Sequence, residues 1–184
     1  VMLQAIAVGA SAGPFAAWAQ QDPIKVGCVL SLTGPGAGLG QPERNGILLA
    51  ERMINERGGV AGRPLKIMIE DDGSKPDLAK SKAENLIFGE KVLAFIGPSL
   101  TASTGAVAAI TNAEKMGQIA ITGLGPAIEM SYKTLYHAMP AQSLNARAML
   151  EYATKGAKAK KIGVLHDTGY GQAVMAALNA ASGT

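Results

Sequence analysis

The chain has 184 residues, 48% of them hydrophobic and 17% charged, which is the composition of a globular protein with one domain, or one and part of another. Lys and Arg outnumber Asp and Glu by only 17 to 14 and are scattered without interleaved aromatics, so nucleic acid is not an expected partner. The single cysteine, Cys28, excludes an internal disulfide and a cysteine-based metal cluster.

Residues 1–19 carry no charge, and Ala17-Trp18-Ala19 gives the small-x-small pattern of a signal-peptidase site before polar Gln20-Gln21-Asp22. The stretch is read as a signal-peptide remnant cleaved after Ala19, which implies a periplasmic mature protein. It lacks a basic leading region and an initiating Met, so the chain is expected to begin inside its own leader. Gly9, Gly13 and Pro14 interrupt the stretch and argue against a membrane span.

Residues 24–30, Ile24-Lys25-Val26-Gly27-Cys28-Val29-Leu30, read as a first strand buried on both faces. Cys28 is then a small inert hydrophobe, and Lys25-Val26-Gly27 ahead of it do not form a lipoprotein cleavage site. The Gly- and Pro-rich run 31–40 reads as loop, and 43–57 as a helix with Ile47, Leu48, Ala50, Met53 and Ile54 at helical spacing, stopped by Gly58-Gly59. A second strand over 65–70 ends at Asp71-Asp72-Gly73, and a helix opening at Ser74 or Asp77 runs to about Gly89.

A third strand, 92–96, leads into Gly97-Pro98-Ser99-Leu100-Thr101-Ala102-Ser103-Thr104 and a helix to about Lys115. The N–H groups at such a helix start, beside hydroxyls, can receive a carboxylate or phosphate; the alternative is that Ser99 or Thr101 simply caps the helix. A fourth strand covers 118–122 and exits through Gly123-Leu124-Gly125-Pro126, with a short fifth strand over 135–138. A helix over 143–155, a strand over 161–166 and a helix over 170–181 complete the pattern. Strand and helix alternate with short connections, which predicts an α/β doubly wound parallel sheet with ligands bound beyond the carboxyl ends of the strands.

The chemistry of an enzyme finds little support. The glycines at 34, 36, 38 and 40 do not satisfy G-x-G-x-x-G, and there is no P-loop. His137 and His166 lack a partner at useful spacing, and the hydroxyls of the central turn lack a base. Asp71-Asp72 reads as structural, because neighbours on a strand point to opposite faces and Gly73 follows. Tyr170, opening a helix after Asp167, either covers a ligand or packs against the helix start.

The runs IKVGCVLSLTGPGAGLGQPERNGILLAERMINERGGVAGRPLKIMIEDD, FIGPSLTAS, IAITGLG and KIGVLHDTGYGQ resemble the leucine/isoleucine/valine-binding type of periplasmic receptor that serves ABC transporters, from residue 24 to the end. The resemblance implies two type I α/β lobes closing on a ligand, no chemistry, no cofactor or metal, and a permease partner in the inner membrane. Residues 22–140 would be the ligand-binding lobe and 141–184 the incomplete start of a second, similar lobe, so the chain is read as a fragment whose uncovered apolar faces make it prone to associate.

By the same resemblance the carboxylate-binding hydroxyl matches Thr101, with the backbone of Ser99 and Leu100 beside it. The first-loop wall matches Leu39, the loop after the fourth strand Leu124, Gly125 and Pro126, and the ligand-facing tyrosine of the second lobe Tyr170. Pro126 stands where relatives often have a threonine that fixes an α-amino group, and Leu39 replaces an aromatic. An amino acid and a carboxylate lacking the amine therefore both stay open. The cysteine pair of some relatives is absent, with Ser74 and Leu100 at those places. The alternatives are a ligand-sensing domain of a signalling receptor and a small-molecule enzyme on the same fold.

Overall fold

A computed structural model describes residues 22–125, 128, 131–167 and 170–182. The stretch read as a signal-peptide remnant, 1–19, lies outside the described residues. Five parallel strands form one sheet in the order β2-β1-β3-β4-β5: β1 is Ile24–Leu30, β2 Leu65–Asp71, β3 Ala94–Ile96, β4 Gln118–Ala120 and β5 Leu135–His137. The order reverses between β1 and β3, which pair directly from Val26↔Ala94 to Cys28↔Ile96. The predicted switch point is therefore present, and the chain ends of β1 and β3 diverge there to leave a crevice.

Helices cover both faces. The helices α2 (Pro76–Glu84, prolonged by a π-helical turn, Asn85–Gly89) and α3 (Thr101–Ala113) close one side over Val29, Ala79, Ala83, Leu86, Phe95 and Val107. Pro76 stands at the first helical position of α2, where its missing N–H costs nothing. On the other side, α1 (Ala37–Glu56) lies along β1 and β2.

This helix corrects two expectations. It begins at Ala37, inside the run predicted as loop, with Pro42 within it. Local propensity is overridden by tertiary contacts. Asp71 accepts hydrogen bonds from the N–H of Leu32 and Thr33 and from the Thr33 hydroxyl, and Ser74 Oγ accepts the Gly36 N–H. Gly40 then lies on the end of β1, where a Cβ would come within 2.2 Å of the Ser31 carbonyl oxygen.

The face that α1 turns to the sheet also differs from the expected apolar stripe. Its better-covered positions are Glu43, Ile47, Glu51, Ile54 and Asn55, while Leu48 and Met53 stay exposed. Asn55 exchanges two hydrogen bonds with the Leu65 backbone, and Glu51 accepts the Ile67 N–H. Polar side chains of α1 thereby satisfy the outer edge of β2, which would otherwise carry unpaired donors.

Beyond β5, α4 (Gln142–Glu151, continued by a π-helical turn, Tyr152–Gly156) packs on α5 (Tyr170–Ser182) through Ala146, Ala177 and Leu178. The strand expected over 161–166 is not formed: the segment has no regular secondary structure, and Leu165 is fully exposed. A parallel strand needs neighbours on its edges to pair its backbone groups, and among the described residues none lies beside it.

Candidate functional site

The strand ends at the switch point determine which side chains meet. β3 ends at a cis Gly97–Pro98 bond and enters α3 through the extended residue Leu100. The turn is held from below by a buried polar chain: Thr111 Oγ1 donates to Gln118 Oε1 at 2.6 Å, and Gln118 Nε2 donates to the Gly97 carbonyl at 2.8 Å. Both side chains are buried, and every such group that finds a partner avoids a penalty of about 1–3 kcal/mol.

Among the described residues no side chain caps α3. The capping alternative is thereby set aside, because the two hydroxyls in question are used elsewhere. Ser99 Oγ donates to Glu43 Oε2 at 2.5 Å and accepts the Ser31 N–H at 3.1 Å. Thr101 Oγ1 donates to the Gly123 carbonyl at 3.0 Å and lies 3.5 Å from Thr122 Oγ1. Among the described residues the first-turn N–H groups of α3 have no side-chain acceptor, at the positive end of the helix dipole.

A cavity of about 630 Å³ opens in front of this helix start. Its walls are Leu39 and Glu43 of α1, residues 99–102, Thr122 and Gly123 after β4, Met139 after β5, and Asp167 and Tyr170 at the approach to α5. Leu39, Ser99, Leu100, Thr101 and Tyr170 thus come together as predicted positions of one concave surface. Leu124 does not join them: it is fully buried among Ala108, Ala120 and Leu135, where the apolar core is the better home for its side chain. Gly125 faces α5, with Ala173 next to the place a Cβ would take. Pro126 lies outside the described residues.

Glu43, Thr122, Met139 and Asp167 were not foreseen as wall residues. A signal for Glu43 exists: once α1 starts at Ala37, Leu39 and Glu43 are four apart and share a face. Gly123 is closed in by the second segment. A Cβ there would lie 1.9 Å from Gln142 Nε2 and 2.8 Å from the Tyr170 ring, and Gln142 Nε2 donates to the Tyr170 hydroxyl at 2.9 Å.

The electrostatics of the cavity are set by carboxylates and dipoles. Burial lifts the Glu43 pKa above the usual carboxylate range; the Ser99 hydrogen bond opposes this and the nearby Asp72 charge adds to it. Burial, helped by the Glu43 charge, pushes the Cys28 thiol up to about 12, so it stays protonated and unreactive. Asp71, at the end of β2, is lowered: its slight burial raises it, but hydrogen bonds from the Thr33 hydroxyl and the N–H groups of Gly73, Thr33 and Leu32 outweigh that. Among the described residues no group of three His, Cys, Asp or Glu side chains is placed to hold a metal ion.

A doubly wound sheet with a cavity at its switch point, facing the start of α3 and a segment that folds over it, defines an α/β protein of the doubly wound class with a candidate binding cavity. The sequence pattern of the periplasmic binding protein family matches residues 23–183, and the chain belongs to that family. It is 29% identical over 182 residues to "Leu/Ile/Val-binding protein homolog 3" of Brucella melitensis, covering 98% of this chain and 49% of that protein. It is 30% identical over 147 residues to the "Leucine-, isoleucine-, valine-, threonine-, and alanine-binding protein" of Pseudomonas aeruginosa, covering 79% of this chain and 39% of that one. Its fold is similar to that of the branched-chain amino acid transporter substrate binding protein LivJ of Streptococcus pneumoniae, solved with isoleucine, with a TM-score of 0.77 at 23% identity over 87% of this chain and 47% of that one. The chain spans about half the length, or less, of the relatives it matches.

Proposed function

We propose that the chain supplies the ligand-capturing lobe of a periplasmic solute-binding protein, which takes up a small amino acid or related carboxylate and hands it to an ABC permease in the inner membrane. Residues 22–140 form the lobe and residues 141–184 begin the second one, which closes over the ligand. The observation that carries this reading is the uncapped start of α3 opening into a cavity beside Thr101. A carboxylate seated there gains the first-turn N–H groups and the helix dipole, and the Thr101 hydroxyl turns from the Gly123 carbonyl to donate to it. Leu39 and Leu100 supply apolar contact and Tyr170 closes the far side. The names of the relatives support an amino acid or a similar solute.

Capture without turnover fits the same geometry. No His lines the cavity among the described residues, and the Thr101 hydroxyl donates to the Gly123 carbonyl, which cannot take up its proton. Thermal-shift screening of the full-length protein against amino acids and aromatic or aliphatic acids tests the reading. A true ligand at about 100 times its Kd stabilises the folded state by about 2.7 kcal/mol. A screen in which no carboxylate raises the Tm would remove the proposal.

A further inference from the structure

The cavity has a charge pattern that carboxylate capture does not use. Two carboxylates line it, Glu43 and Asp167, and among the described residues no Lys, Arg or His side chain does. The start of α3 offers an anion only the equivalent of about half an elementary charge. A ligand with nothing but a carboxylate gains at α3 and is repelled by the acidic walls; a ligand that also carries an ammonium group complements both.

The two acids are not alike. Asp167 Oδ1 accepts the Gly171 N–H at 2.7 Å and so serves the first turn of α5. Glu43 is held by a relay from the sheet: the Ser31 N–H fixes Ser99 Oγ, which is buried, and the Ser99 hydroxyl occupies Glu43 Oε2. Among the described residues no second hydrogen bond reaches Glu43, whose carboxylate has room for several. A half-buried carboxylate with spare acceptor capacity, placed by a buried serine on the wall of a cavity, is arranged to meet a donor that the protein itself does not provide.

We propose that Glu43, positioned by Ser99, receives a cationic group of the ligand, so that the site selects zwitterions over carboxylates that lack an amine. This rests on the cavity being the ligand site, and it names a specificity residue on α1 rather than on the strand loops. Burial has already lifted the Glu43 pKa, and an ammonium group beside it relieves the cost of the buried charge.

The test uses the full-length protein and matched pairs, each α-amino acid against the carboxylic acid with the same skeleton and no amine, beginning with leucine and 4-methylpentanoate, titrated by calorimetry. The amino acid of the best pair is expected to bind roughly tenfold tighter or more, a difference of about 1.4 kcal/mol. Glu43→Gln keeps an oxygen for the Ser99 hydroxyl and is expected to erase that preference while leaving the deaminated acid bound as well or better. Ser99→Ala, which frees the carboxylate to swing, is expected to reduce the preference in part. A wild-type protein that favours the deaminated acids, or a Glu43→Gln variant that weakens both members of a pair equally, overturns the inference and leaves carboxylate capture standing. If neither series binds the wild-type protein, both readings fall together.

Discussion

The Thr101 hydroxyl donates to the Gly123 carbonyl across 3.0 Å, tying the first residue of α3 to the exit of β4. That bond preloads the hydroxyl in the cavity wall and gives it an alternative partner to exchange when an anion arrives. Replacing Thr101 with Val removes a charge-assisted bond to a bound carboxylate, typically worth about 1.5–3 kcal/mol, and is expected to weaken the affinity for the best carboxylate by roughly 10- to 100-fold. Titration calorimetry on the full-length protein checks this; an unchanged Kd means that the anion is held elsewhere.

Gly123 is one of the places where the exit of β4 meets the segment that follows β5. A methyl group there overlaps Gln142 Nε2 and the Tyr170 ring, which are themselves joined by a hydrogen bond. Gly123→Ala is expected to cost about 1–3 kcal/mol, the usual range for forcing extra volume into a packed contact. Chemical denaturation with and without ligand measures it, and a variant as stable as wild type in both conditions contradicts the packing described.

Two carboxylates near the crevice predict opposite pH behaviour. Asp71 has its folded-state pKa lowered, so its contribution to stability is present above the ordinary Asp value of about 3.9 and is lost as pH falls through the folded value. Asp71→Asn is expected to flatten the acid limb of the stability profile. Glu43 has its folded-state pKa raised, so the folded state binds its proton more tightly and stability declines as pH rises from the ordinary Glu value of about 4.3 through the folded one. Glu43→Gln is therefore expected to melt higher than wild type at neutral pH without ligand, with the gap closing in acid. Melting curves over that range decide both signs.

The chain on its own presents an apolar surface beside α4 and α5, a cavity of about 850 Å³ that includes Met149, Ile162, Val164, Leu165 and Val174. Leu165 is fully exposed, and Ile162 and Val164 are exposed with it. Residues 1–184 expressed alone are expected to associate increasingly with concentration, and polar replacements at Ile162, Val164 and Leu165 to reduce this. Light scattering across a dilution series is sufficient; a monodisperse monomer at high concentration contradicts the expectation.

Much of this architecture can be read from local pattern. The continuous apolar run of β1 announces a strand buried on both faces, the residues Gly97 to Thr104 announce a turn into a helix, and Tyr170 opens its helix where expected. These readings need only the periodicity and chemistry of neighbouring residues, which the chain carries locally.

The rest depended on partners distant in sequence. Local pattern alone reads residues 37–40 as loop, and they become the first turn of α1 because Asp71 and Ser74 tie down the preceding loop and Gly40 seats against Ser31. That placement brought Glu43 beside Leu39, under the Ser99 hydroxyl, and so created an acidic wall. Leu124 went to the core and the run 161–166 stayed out of the sheet, because burial and edge pairing are settled by what lies opposite a residue in space. Sequence determined where elements could form and that hydroxyls would gather at the start of α3; the tertiary structure decided which side chains line the cavity, since its wall is made of residues from five separate segments that no local pattern relates.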